Sequence, residues 1–191
     1  MGNINCNIED ITIDNLTIKK KNNLQILIED PRIYRESIKK AKQKMTYKSK
    51  HNKDMQDTDL IEGAILGHYY LYPLSKQART EIIQQMSQYC IKENNEVFKQ
   101  GDYPTYFYIL KEGECDLYID KEKKQSLRRG SLFGELSMIY NCYREYSIKT
   151  VTDCFFWTLE KKNFIKIMEH ILNITFEENK RSIESIPLFA C

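Results

Sequence analysis

Two side chains of opposite charge stand nine positions apart in the chain, and together they suit a sugar phosphate. Glu135 is a carboxylate that can accept hydrogen bonds from sugar hydroxyls, and Arg144 presents a rigid cationic fork that suits phosphate. Gly134, directly before the acid, can adopt backbone angles closed to other residues and lets a ligand approach the main chain. The apolar run 136–139 suits one helical turn, whose free N–H groups form an anion site.

Residues 133–137 (Phe-Gly-Glu-Leu-Ser) resemble the first half of a known motif. They are similar to the phosphate-binding cassette of the cyclic nucleotide-binding domains in the cAMP- and cGMP-dependent protein kinases. The loop 140–142 (Tyr-Asn-Cys) resembles that of the first such domain in the cGMP-dependent kinases. The resemblance implies that Glu135 holds the ribose 2′-hydroxyl, that Arg144 pairs with the cyclic phosphate, and that the main chain of residues 134–136 faces that phosphate.

The second half of the motif departs from the family pattern. Tyr143 replaces Pro or Thr, Glu145 replaces a small residue and Tyr146 replaces Ala, although Ser147 keeps the final Thr or Ser. A carboxylate beside a phosphate in a partly dry pocket would weaken binding by on the order of a kcal/mol. Alternatively, this carboxylate could pair with Arg144 and so occupy the arginine. Bulky side chains at these positions could also fill a vacated pocket.

Three alternatives therefore stay open for this site. The first is a regulatory module that binds cGMP or cAMP and relays binding to flanking helices, and the second is a non-binding domain that serves as a scaffold. In the third, the pocket holds an uncharged nucleoside whose sugar or base donates to Glu145. The candidate ligand-binding residues are Gly134, Glu135, Leu136, Ser137, Arg144, Glu145 and Ser147.

The pattern of short strands and turns over residues 89–158 indicates a β-barrel or sandwich. Apolar residues at helical spacing predict helices over 76–87, 163–171 and 176–186. Residues 58–66 resemble the helical lead-in of the kinase regulatory domains, which implies a helix there as well. Gly113 and Trp157 fall where the family has its strand glycine and its Leu-Trp strand. The expected fold is α+β, an antiparallel β-barrel or jelly roll of the cyclic nucleotide-binding type flanked by N- and C-terminal helices.

The expected organisation has three segments: a basic, partly helical arm over 1–57, the cyclic nucleotide-binding domain over 58–175 and a C-terminal helix or linker over 176–191. The net charge of +2 does not indicate nucleic acid binding. Charge is uneven, since the arm holds 12 Lys and Arg against 8 Asp and Glu, whereas the remainder holds 17 against 19. Its basic run 31–53, where Pro31 can open a helix, suits an acidic surface. We expect a protein partner to contact this arm and the C-terminal helix.

The sequence shows no residue spacing that is typical of a metal site, a cofactor site or an enzyme active site. The six cysteines lack C-x-x-C pairs and the three histidines lack ligand spacing, so each is expected to be an ordinary surface or core residue, and neither a metal site nor a cofactor is predicted. No His or Cys stands with a base and an orienting acid, and the kinase motifs are absent, so no catalytic residue and no enzyme activity are predicted. Cys142, near the cassette, is expected to be inert.

The N-terminus carries an incomplete lipidation signal. Gly2 could accept a myristoyl group and Cys6 could accept palmitate, although the usual Ser or Thr at position 6 is absent, and an unmodified N-terminus is favoured. There is no secretory leader and no apolar run long enough to cross a membrane. We therefore expect a cytoplasmic protein that associates with membranes only if it is acylated.

Overall fold

A computed structural model of the chain describes residues 11–13, 16–18, 30–49 and 53–169. The candidate lipidation positions Gly2 and Cys6 and the predicted helix 176–186 lie outside these residues. Within the described part of the chain, no helix is both long and apolar enough to span a membrane.

The first three helices begin where the sequence supplies a side chain that caps the N-terminus. α1 (Pro31–Lys44) follows Asp30, whose side chain accepts from the Arg32 N–H at 2.8 Å, and Pro31 takes the first helical position. The other helices are α2 (Met55–Leu66), α3 (Lys76–Gln85), α4 (Leu136–Ile139) and residues 161–169. α2 starts three residues before the predicted 58 because the Asp54 carboxylate accepts from the Asp57 N–H at 2.7 Å.

Two antiparallel sheets form the centre of the fold. The strands are β1 (Ile11–Ile13), β2 (Leu16–Ile18), β3 (Thr46–Ser49), β4 (Ser87–Ile91), β5 (Glu96–Phe98), β6 (Tyr106–Glu112), β7 (Cys115–Ile119), β8 (Glu122–Leu127), β9 (Leu132–Phe133), β10 (Ser147–Thr150) and β11 (Cys154–Glu160). One sheet has the order β5-β10-β7-β8 and the other β3-β4-β11-β6-β9, while β1 and β2 pair with each other. Together with the helices, these sheets confirm the predicted α+β fold class.

Strand β6 is buried on both faces and separates two apolar clusters. Side chains alternate along a strand, so Tyr106, Tyr108 and Leu110 face the interior between the sheets. Phe107 and Ile109 face the opposite way, into a cluster with α2, α3 and the helix 161–169. The strand thus joins the barrel and the helical layer into one packed unit.

Two sets of polar contacts fasten the N-terminal helices to the barrel. In the first, Asp57 of α2 is 3% exposed, accepts from the Trp157 indole N–H at 3.2 Å and lies 2.8 Å from the Lys111 ammonium. In the second, the α1 side chains Tyr34 and Lys40 bond to Glu160 at 2.7 Å and to Asp102 at 3.0 Å. A strand from the same basic segment, β3, also pairs with β4.

Candidate functional site

The cassette begins at a turn that only glycine accommodates easily. β9 pairs with β6 and ends at Phe133, directly before Gly134, whose φ of +88° lies in the left-handed region. A Cβ atom at this position would also lie 2.9 Å from Nη1 of Arg144. The turn therefore lets the arginine approach the main chain directly before α4.

Glu135 lies at the start of α4 and is 1% exposed. Its Oε1 atom lies 3.1 Å from Nε2 of His68, which belongs to the segment between α2 and α3. Its Oε2 atom is buried and has no hydrogen-bond partner among the described residues. His68 is a site residue that sequence reasoning missed, because nothing in its local spacing marks a contact with an acid 67 positions away.

Arg144 is 3% exposed and directs its guanidinium into the barrel. Nη1 donates to the Gly134 carbonyl and, at 2.7 Å, to Ser137 Oγ, while Nη2 donates to the Tyr106 carbonyl. The guanidinium carbon lies 4.2 Å from the centre of the Phe98 ring, a cation–π contact. The Nε atom is buried without a partner among the described residues.

Tyr146 occupies the space beside the cassette turn. Its hydroxyl accepts from the Gly134 N–H at 2.9 Å, and its ring packs 5.5 Å from that of Phe98. Burial raises the pKa of the phenol, so the hydroxyl stays protonated at neutral pH. The main-chain N–H that the resemblance assigns to a cyclic phosphate is thus bonded to a tyrosine in this structure.

The remaining candidate residues divide between the cassette and its surroundings. Leu136 and Ser137 are buried in α4 beside Glu135, and Ser137 contacts Arg144 as described above. Ser147 accepts from the Gln100 N–H at 2.8 Å and so faces a neighbouring turn. Glu145 is exposed, and no ion pair joins it to Arg144 in the described part of the chain.

Metal chemistry and thiol chemistry find no support at this site. Over the described ranges, no three His, Cys, Asp or Glu side chains cluster in a way that could hold a metal ion. Burial raises the pKa of the Cys142 thiol to about 11, so it stays protonated at neutral pH. The chemistry offered by the cassette is therefore binding through one carboxylate, one guanidinium and the main chain.

A contact on the far side of the cassette leads to the helix 161–169. Lys161 is 2% exposed and donates to Asn141 Oδ1 at 2.9 Å and to the Tyr103 hydroxyl at 3.2 Å. Asn141 belongs to the loop after α4 and has a φ of +48°, which asparagine tolerates better than most residues. Through this bond and the His68 contact, the cassette touches helical segments on both sides.

Comparison with known proteins finds similarity over the part of the chain that contains the cassette. The family model described as "Cyclic nucleotide-binding domain" matches residues 90–170. The chain is 28% identical over 134 residues to a cGMP-dependent protein kinase of Plasmodium berghei, covering 70% of this chain and 16% of that protein. It is 31% identical over 108 residues to a cAMP-dependent protein kinase regulatory subunit of Eremothecium gossypii, covering 56% and 24%. The chain thus spans less than a quarter of the length of these two relatives.

Solved structures share the fold. The regulatory domain of Toxoplasma gondii PKA with cAMP matches with a TM-score of 0.53 and 25% identity, over 61% of this chain and 46% of that one. A regulatory subunit of a cAMP-independent protein kinase A from Trypanosoma cruzi bound to guanosine matches with a TM-score of 0.56 and 15% identity, over 76% and 52%. These matches confirm the family resemblance and the fold that it implied.

Proposed function

We propose that this chain, whose residues 90–170 match the model of the cyclic nucleotide-binding domain, is a regulatory module that binds a cyclic nucleoside monophosphate between Glu135 and Arg144. The matched region is non-catalytic in character, as the relatives' regulatory domains are. To bind a ligand, the cassette of this chain must accommodate it although Tyr143, Glu145 and Tyr146 differ from the family pattern.

One observation carries the proposal: the two candidate residues each bury a polar atom that nothing in the described structure satisfies. Glu135 Oε2 is an acceptor without a donor, and Arg144 Nε is a donor without an acceptor. A buried unsatisfied polar group costs about 1–3 kcal/mol. A sugar hydroxyl would donate to the carboxylate and a phosphate oxygen would accept from the guanidinium, so a sugar phosphate offers the two missing partners.

Binding in this form requires the Tyr146 hydroxyl to leave the Gly134 N–H. The Gly134 N–H would then donate to a phosphate oxygen instead of the phenol, and the phosphate oxygen is the stronger, charge-assisted acceptor. Only the molecules in which the tyrosine has already moved can bind, and they are a small fraction of the total. The apparent affinity is therefore lower than the intrinsic affinity of the open site. We therefore expect binding that is weaker than the site would give with a small residue at position 146.

We further propose that two polar contacts relay binding to the flanking helices. A ligand hydroxyl on Glu135 changes the contact with His68 and so reaches the segment between α2 and α3. Movement of the loop after α4 changes the bond between Asn141 and Lys161, at the start of the helix 161–169. Such a relay operates only if the ligand binds one arrangement of these contacts more tightly than the other.

The test is calorimetric titration of the full chain with cGMP, cAMP and guanosine. We expect saturable binding of a cyclic nucleotide in the unmodified chain, tighter binding in Tyr146→Phe and loss of binding in Arg144→Lys, which keeps the charge but not the fork. Arg128→Lys, on the exposed surface, serves as the matched control. The absence of heat with any of the three ligands, in both the unmodified chain and Tyr146→Phe, would reject the proposal.

A scaffold without a ligand is the second candidate function, and Tyr146 is the observation that favours it. The phenol satisfies the Gly134 N–H, and Arg144 already donates to three acceptors within the chain. In that case the basic arm, where Arg32 and Arg35 are exposed, would hold a protein partner together with the helix predicted over 176–186. Guanosine binding without cyclic nucleotide binding would instead support the nucleoside alternative.

A further inference from the structure

Two cysteines that the ligand site does not use lie next to each other in the barrel. Cys115 begins β7 in one sheet and Cys154 begins β11 in the other, and their Sγ atoms are 3.5 Å apart. Both residues are fully buried. Since 39 positions separate them in the chain, their contact is made by the tertiary fold, and the spacing of the cysteines in the sequence did not reveal it.

The surrounding backbone leaves room for this contact. Gly113 lies directly against Cys154, and a Cβ atom at that position would be 2.6 Å from the sulfur. Its φ of +96° adds a second reason for glycine. The backbone at this turn therefore brings the second sulfur close to the first.

An exposed turn lies beside the pair. Cys154 directly follows the turn 151–153, in which Val151 is 43% exposed and Thr152 and Asp153 are also exposed. Exposed turns open locally at lower free-energy cost than the strands that they join. Opening of this turn would admit a molecule of the size of hydrogen peroxide to the thiols.

We propose that Cys115 and Cys154 form a reversible intramolecular disulfide on exposure to a small two-electron oxidant of the peroxide class. One thiolate attacks a peroxide oxygen, which gives a sulfenic acid and releases hydroxide. The second thiolate attacks that sulfur, the S–S bond forms and a second hydroxide leaves. The two thiol protons convert both hydroxides to water, so the pair loses two electrons and the peroxide gains two. A dithiol reverses the step by exchange.

The disulfide would link the two sheets covalently. The sulfur atoms must close from 3.5 Å to about 2.0 Å, a movement that the adjoining turn can absorb. Cross-linking residues that are distant in sequence restricts the unfolded chain, so the oxidised protein should melt on the order of 5–10 °C higher than the reduced one. This inference does not depend on whether the cassette binds a ligand.

The experiment treats the full chain with hydrogen peroxide, quenches in acid, alkylates under denaturing conditions and maps the peptides by mass spectrometry. We expect one cross-linked peptide pair joining Cys115 to Cys154, lighter by two hydrogen atoms and lost on treatment with a dithiol. The melting temperature should rise with its formation. The Cys142→Ala variant should form the same cross-link, whereas Cys154→Ala should not.

Peptide mapping of the unmodified chain keeps the proposal falsifiable even if a variant fails to fold. Recovery of Cys115 and Cys154 as alkylated thiols, while other cysteines are oxidised, would overturn it. Stable sulfinic or sulfonic acids at either position, without the cross-link, would overturn it as well.

Discussion

The two ends of the cassette meet their polar requirements in different ways. At the sugar end, Glu135 has one oxygen paired with His68 and the other buried without a partner in the described structure. At the phosphate end, Arg144 donates to two main-chain carbonyls and a hydroxyl, and the Gly134 N–H is bonded to Tyr146. The sugar end therefore has a vacant acceptor, whereas the phosphate end is largely closed by the chain itself.

This difference shows that a matching residue type and an available residue are separate properties. Glu135 and Arg144 both match the family motif, but a ligand must displace an internal partner only at the phosphate end. Tyr146, one of the positions where the sequence departs from the motif, decides that availability for the Gly134 N–H. Four substitutions test this contrast, and they are ordered by the size of the change that we expect.

Arg144→Ala should lower the free energy of unfolding by about 3–5 kcal/mol, because it leaves the Gly134 and Tyr106 carbonyls without their donor and opens a cavity beside Phe98. Urea denaturation followed by circular dichroism measures the change. Arg128→Ala, whose side chain is 79% exposed, is the matched control and should change stability by less than about 0.5 kcal/mol. Equal stabilities for the two variants would show that the phosphate end is not held by the arginine.

Tyr146→Phe should lower the free energy of unfolding by about 1–2 kcal/mol, since the buried Gly134 N–H loses its acceptor. The same loss makes ligand binding easier, and a gain of about 1 kcal/mol corresponds to roughly fivefold tighter binding of a cyclic nucleotide. Denaturation and calorimetry on the same preparation measure the two effects. Tyr143→Phe is the control, and opposite changes in stability and affinity should be confined to position 146.

His68→Gln should lower the free energy of unfolding by about 1 kcal/mol or less, because glutamine keeps a donor in reach of Glu135 but loses the possible charge. The larger effect of this substitution should be on the relay from the ligand site to the segment between α2 and α3. In the unmodified chain, ligand should change amide hydrogen exchange in the segment between α2 and α3, and this change should shrink in the variant. Full retention of the change would assign the relay to another contact.

Glu145→Gln should have the smallest effect, below about 0.5 kcal/mol in stability, because the side chain is exposed and forms no ion pair with Arg144 in the described structure. Its influence on a bound phosphate is screened by water, so affinity should rise by less than about threefold at physiological salt. Calorimetry at low and high salt measures this. A rise of tenfold or more would show that the carboxylate moves into the pocket when ligand binds.

Local rules account for much of the agreement between the predicted and observed elements. Ser75 accepts from the Ala78 N–H at 3.2 Å and starts α3 at the expected place. The predicted end at residue 87 was two residues late, since Met86 is extended and Ser87 already belongs to β4. Helix ends are decided by competition with the following element, so a periodic pattern places them less well than a cap does.

The sequence alone predicted the glycine turn at position 134, the short helix after it, the series of short strands over residues 89–158, and Glu135 and Arg144 as the acid and the arginine that suit a sugar phosphate. These features depend on residues that are neighbours in the chain, where backbone sterics and side-chain periodicity act directly. Three contacts became visible only in the folded chain: Tyr146 bonds to Gly134, His68 contacts Glu135, and Cys115 lies against Cys154. Each of these contacts depends on how separate segments pack together, and side-chain type alone does not specify which polar or sulfur atoms will meet across a packed interior.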